Sequence, residues 1–255
     1  MTISETTAAS SSNAPAATSA PAVPVAHAAT PARRIRRLSE RQVVDRAAVD
    51  ALLDEELVGH LTAVVDGMPI VVPMGFARVG DDVLVHGSTG GGFALRAAAE
   101  QSTVAFVVTA LDGLVYARSL FDSSMNYRSA VVCGVLEPVP DDEVDAALLA
   151  LSERLMPGRA AEVRATVRKE AAATSVLRLA LDDVVMKARS GGPSEEPDDG
   201  EDHAVWAGVV PLRRVFGAPV ASVQTPAGTP LPVSVAALAT GRSRSDTIEA
   251  VEGGA

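Results

Sequence analysis

Leu61-Thr62-Ala63-Val64-Val65-Asp66-Gly67-Met68-Pro69-Ile70-Val71-Val72-Pro73-Met74 is an apolar run, a turn signal and a second apolar run. Leu61–Val65 reads as a strand, Asp66-Gly67 as a hairpin turn and Ile70–Val79 as the returning strand. Gly80–Asp82 makes the next turn and Val83–His86 the next strand. Strands joined by so few residues must run antiparallel, because a parallel crossover needs about a dozen residues or more.

The same pattern continues downstream. Val104–Thr109, Leu114–Leu120 after a turn at Asp112-Gly113, Arg128–Val139, Ser175–Leu181, Val184–Ala188 and Ala204–Leu212 read as further strands, with a polar loop at Phe121–Tyr127. Helices are few. Asp45 can cap a helix running to about Glu56 with Val49, Leu52 and Leu53 on one face. Gly90-Gly91-Gly92 precedes a short Ala-rich helix, Phe93–Glu100. Pro140-Asp141-Asp142 opens an amphipathic helix with Val144, Ala147, Leu148, Leu151 and Leu155 on one side, ended by Pro157-Gly158. A further helix is expected over Ala160–Ala172. An antiparallel sheet of about eight strands closes on itself to remove its edges, so the pattern predicts a mainly β protein: a barrel of about 170 residues with flanking helices.

Outside the barrel the composition changes. Residues 1–32 are Ala, Ser, Thr and Pro with one charged residue, Glu5, and bury too little apolar surface to fold. The barrel domain is expected over 33–215, opening on Arg33, Arg34, Arg36 and Arg37, with a loose Ala/Pro-rich tail over 216–255. Ser194–Asp202 holds six acids and reads as an exposed loop. The 255 residues carry 32 Asp and Glu against 22 Lys and Arg, a net charge of −10, which opposes general binding to nucleic acid or a membrane surface. A single cysteine excludes a disulfide framework and a cysteine-built zinc site, and no apolar run reaches the ~18 residues of a membrane span. A cytoplasmic location is the expectation.

Two stretches carry chemistry. His86-Gly87-Ser88-Thr89-Gly90-Gly91-Gly92-Phe93 runs from a strand end through glycines into a helix start, which either cradles a phosphate or merely connects the two elements. Ser123-Ser124-Met125-Asn126-Tyr127-Arg128-Ser129 concentrates hydroxyls, an amide and a guanidinium, types that suit a phosphate and the edge of a heteroaromatic ring. Trp206, the one tryptophan, either fills the core or walls a flat ligand. Lys187 and Arg189 share one side of a strand. Cys133 reads as a small core residue. No histidine pair at helical spacing supports a metal site, and the Gly-x-Ser-x-Gly elbow is missing.

Taken in order, Gly59-His60-Leu61, Asp66-Gly67-Met68-Pro69, Val72-Pro73-Met74, His86-Gly87-Ser88, Ser124-Met125-Asn126-Tyr127-Arg128-Ser129 with Gly134, Pro157-Gly158-Arg159, Lys187-x-Arg189 and Trp206-x-Gly208-x-x-Pro211 resemble the flavin-nucleotide-binding branch of the pyridoxamine 5′-phosphate oxidase-like proteins. The resemblance spans Arg36 to Leu212. It implies an FMN-binding split β-barrel, a homodimer that holds FMN between subunits and oxidises or reduces a small-molecule substrate. It implies flavin contacts at Val72, Pro73, Met74, His86, Gly87 and Ser88, phosphate or ring contacts at Asn126, Arg128 and Ser129, and further contacts at Lys187 and Trp206. Relatives commonly carry Arg or Lys just after His-Gly-Ser, where this chain has Gly90–Gly92; backbone amides with Arg96 or Arg128 would then take that place. The other readings are a flavin carrier or sensor without turnover, and a relative that binds a deazaflavin or a haem ligated by His86 or His60.

Overall fold

A computed structural model describes residues 35–90, 92–194 and 204–240. The N-terminal stretch 1–32, Arg33, Arg34 and nearly all of the acidic Ser194–Asp202 segment lie outside the described residues. Ten strands form one antiparallel sheet: β1 (Gln42–Val43), β2 (Val58–Val65), β3 (Met68–Val79), β4 (Asp82–Ser88), β5 (Thr103–Tyr116), β6 (Ser124–Val135), β7 (Glu137–Pro138), β8 (Thr174–Ala180), β9 (Asp183–Arg189) and β10 (Gly208–Pro211). The order across the sheet is β1-β9-β6-β5-β2-β3-β4-β8-β7, with β10 added beside β5. The ladder wraps round without closing, which is a split barrel.

The hairpin that opens the sheet forms as its sequence dictates. Asp66 and Gly67 both take positive φ, 51° and 78°, the geometry of a tight turn whose twist matches the flanking strands. The register follows, from Val65 opposite Met68 to Val58 opposite Gly75. Alternation then sends Leu61, Ala63, Phe76, Val104, Phe106, Val108, Ala130, Val132 and Met186 into one core. At its centre Phe76 and Phe106 meet edge to face, ring centroids 5.2 Å apart. Cys133 is buried, as expected.

Five α-helices lie among the described residues: α1 (Arg46–Glu55), α2 (Phe93–Ala99), α3 (Val144–Leu155), α4 (Arg168–Ala172) and α5 (Val233–Thr240). The Asp45 carboxylate caps α1 by accepting from the Ala47 amide at 3.0 Å, and Val49, Leu52 and Leu53 face the core. α3 lays Ala147 and Leu151 on the outward side of β3, β4 and β8, against Ala77, Leu84 and Val176.

Four expectations are corrected. The two strands predicted on either side of Asp112-Gly113 are one strand, β5, because the turn signal is spent on a bulge: Leu111 pairs with Tyr127, Gly113 with Asn126, and Asp112 is the extra residue. The polar segment Ser124–Tyr127 belongs to β6, held by β5 on one side and, at Tyr127, by β9 on the other. The helix expected over Ala160–Ala172 shrinks to a single turn at Arg159–Ala161 and to α4; Val163 and Val167 stay exposed, so no apolar face is buried to support a longer helix. The C-terminal region expected to be loose contains α5.

The N-terminal turn of α5 docks on Glu162, whose carboxylate accepts from the Ser234 amide at 2.9 Å and the Ser234 hydroxyl at 2.5 Å. The hydroxyl, then the amide, holds Glu162 below the usual glutamate range. A depressed carboxylate contributes stability above its unfolded-state value and loses it as pH falls through the folded one. Hydrogen-exchange protection of α5 is therefore expected to fall below about pH 4 while that of β5 and β6 persists, and Glu162→Gln should abolish the difference.

Candidate functional site

Alternation that fills the core also builds a second surface. On β2 the outward residues are His60, Thr62 and Val64. In register across the sheet, Pro73, His60, Val107, Val131 and Val185 form one outward row. Thr109, Ser129 and Lys187 form the next, with the Thr109 and Ser129 hydroxyls 2.9 Å apart. Leu111, Tyr127 and Arg189 form a third. Because the bulge at Asp112 resets the parity, Leu114, Met125 and Tyr116 continue the same face. β10 adds Val210 beside Leu114, and Gly208 beside Tyr116. α3 covers the outward side of β4, β8 and the far part of β3 around Ala77, whereas β2, β5, β6 and the hairpin end of β3 keep an open face on which Val64, Val71 and Met125 are 62%, 58% and 49% exposed. Apolar surface this continuous and this uncovered is the mark of a binding face.

The residues singled out in the sequence fall into four places. Pro73, Ser129 and Lys187 lie on the open face. Val72 and Met74 point the other way, half-buried, and Met74 packs against the main core. His86, Gly87 and Ser88 pair with Val176, Ser175 and Thr174 of β8. There the Ser88 hydroxyl accepts from the Gly90 amide at 3.2 Å, and the Thr89 amide donates to the Ala173 carbonyl at 3.1 Å. Trp206 is not a core residue but belongs with the open face: it is 63% exposed, lies over Gly208 and meets Tyr116 with centroids 6.0 Å apart.

Asn126 and Arg128 occupy the fourth place, on the inward side of β6. The Asn126 carboxamide is buried, donating to the Gly191 carbonyl at 3.1 Å and accepting from Arg189 at 2.5 Å. The Arg128 guanidinium is committed to two carboxylates. It donates to Glu55, at the end of α1, at 2.6 and 3.1 Å, and to Asp112, in the bulge, at 2.7 and 3.0 Å. The Asp112 hydrogen bonds, then those of Glu55, raise its pKa further above its ordinary value despite desolvation. The phosphate contact expected at Arg128 thus meets a cation already neutralised by the protein. Arg96, the other substitute cation, is likewise held by Asp66 and Glu100, each at 3.0 Å. Sequence reading missed Glu55 and Asp112, whose separation from Arg128 leaves no local signal. It gave His60 only as an alternative haem ligand beside His86, although the alternation of Gly59-His60-Leu61 already assigns its side.

Among the described residues, no three His, Cys, Asp or Glu side chains gather as a cage for a metal ion. No helix of the described residues is long and apolar enough to cross a membrane.

The family model described as pyridoxamine 5′-phosphate oxidase matches residues 45–188, the segment from the α1 cap to the end of β9. The chain belongs to that family. Two solved structures resemble this member over most of their length. The FAD and haem binding protein from Mycobacterium smegmatis is 46% identical, with TM-score 0.74, over 78% of this chain and 97% of its own. The flavocytochrome Anf3 from Azotobacter vinelandii is 30% identical, with TM-score 0.73, over 80% of this chain and 94% of its own. Among curated proteins, none matches the chain. Membership accounts for the split barrel and for a flavin-binding fold; the rest depends on the site.

Proposed function

We propose that this chain is a flavin- and haem-carrying oxidoreductase that works as a homodimer on a small molecule. The observation that carries this reading is the open face of β2, β5, β6 and β9, a broad apolar surface with one imidazole, a hydroxyl pair and a lysine. A second copy is the natural cover for such a face, since a two-fold pairing lets each copy bury the other's apolar rows. The likeness to the Mycobacterium smegmatis protein over nearly its whole length supports FAD as the flavin and haem as a second group. FMN is the narrower expectation from the sequence motifs. When bound, a flavin exchanges two electrons with an organic molecule and a haem carries one, while the protein supplies orientation and electrostatics. Ser129 offers a hydroxyl donor to an anionic group on the face, beside a Lys187 ammonium that donates to the Arg37 carbonyl at 3.3 Å.

The test is the spectrum of the purified full-length chain and chromatography of the released nucleotide. A flavin spectrum with FAD in the supernatant is the expected result. FMN there would return the nucleotide to the sequence expectation, and no flavin even after titration with both would overturn the reading. The dimer has its own test. Val131→Glu places like charges on the apolar rows of both copies. Light scattering should then report half the wild-type mass, with the thermal midpoint of the monomer preserved. A variant that retains the wild-type mass would exclude this face as the interface.

A further inference from the structure

We propose that His60 is the axial ligand of a non-covalently held haem lying on the open sheet face, an assignment that rests on the haem part of the reading above. His60 stands near the middle of that face, in the row Pro73, His60, Val107, Val131 and Val185. Its neighbours on β5 and β6 are short: Ala105, Val107, Thr109, Ser129 and Val131. His60 is exposed among these short side chains, so its imidazole stands on a largely apolar part of the open face. A porphyrin suits such a place, since it needs a nitrogen donor beside apolar surface. Among the described residues His60 has no hydrogen-bond or ion-pair partner for its imidazole, so the lone pair is uncommitted.

The charge distribution agrees. Strands lie about 4.8 Å apart, so β9 is about 14 Å across the sheet from β2. Lys187, one row further along, brings an ammonium on a long stem to the same side; it donates to the Arg37 carbonyl at 3.3 Å, a contact that a haem propionate arriving there would displace. The other described histidine, His86, fits less well. It is exposed but pairs with Val176, on the side of β4 and β8 against which α3 packs. Attachment is non-covalent because the chain has one cysteine, Cys133, and no pair to form thioether links.

The experiment is hemin titration of the full-length protein, read by absorbance and electron paramagnetic resonance, with flavin content measured on the same samples. The wild type is expected to show a Soret band. His60→Ala should weaken hemin binding about 100-fold or more, His86→Ala should leave it unchanged, and flavin content should be unaffected in both. In His60→Gly, added imidazole should restore the wild-type signals, which a purely structural role would not allow. Unchanged hemin affinity in His60→Ala, or its loss in His86→Ala, would overturn the assignment. A wild-type chain that carries flavin but takes up no hemin would overturn the haem site and leave the flavin reading intact; one that takes neither would overturn both.

Discussion

Replacing Arg128 by Ala is expected to cost about 3 kcal/mol of stability, because it strands two carboxylates around an emptied position. Glu55 and Arg128 are mostly buried, their side chains 13% and 21% exposed, and Asp112 is half-buried. Removing the shared cation leaves two like charges near each other with little water to solvate them. For a domain of this size the loss amounts to about 6–12 °C in the thermal midpoint, read by circular dichroism. Arg128→Lys should recover part of it, since one ammonium cannot form the paired contacts a guanidinium makes with both acids. The double replacement Glu55→Gln with Arg128→Gln should be milder than Arg128→Ala. A different result would revive the phosphate role: a normal midpoint together with weaker flavin binding would mean that Arg128 turns outward when the nucleotide is present.

The second large effect lies in the core. A Cβ built on Gly59 would stand 2.1 Å from the Phe106 ring, an impossible approach, and the ring has no room to retreat because it is fully buried against Phe76. Gly59→Ala should therefore push the ring off its rotamer or separate β2 from β5, at about 3 kcal/mol or more. Phe106→Ala should cost about 3–5 kcal/mol through the cavity it leaves. The two are coupled: in a Phe106→Leu background Gly59→Ala should become much cheaper, and a double-mutant cycle in urea measures the difference. Strictly additive free energies would mean that the contact does not exist in solution.

These two positions also show how far the sequence could be read. The Asp66-Gly67 turn, the Asp45 cap and the alternation on β2 are local signals, and each produced the predicted element. The need for glycine at position 59 is not local, because it depends on a ring 47 residues away, brought in by the β2–β5 pairing. Arg128 shows the same limit in chemistry. Its residue type and its polar neighbours pointed to an anion, and the structure supplies two from its own chain, 73 and 16 residues distant. His60 is intermediate. Alternation fixes which side of β2 it faces, but only the placement of α3 over β3, β4 and β8 shows that this side remains open.

The extra residue in β5 sets a rule for how this surface can change over evolutionary time. Asp112 turns aside to meet Arg128, and its carbonyl accepts the Leu212 amide at 3.0 Å, while the strand beyond it resumes with inverted phase. Delete that one position and Leu114 and Tyr116 would swing to the opposite side, stripping the far end of the face and removing an anchor for Arg128 in the same event. Point substitutions can only tune such a surface a side chain at a time. A single-codon deletion there would rewrite which residues the barrel shows to its neighbours, so length at this position, more than identity, is what lineages of this fold would have to preserve.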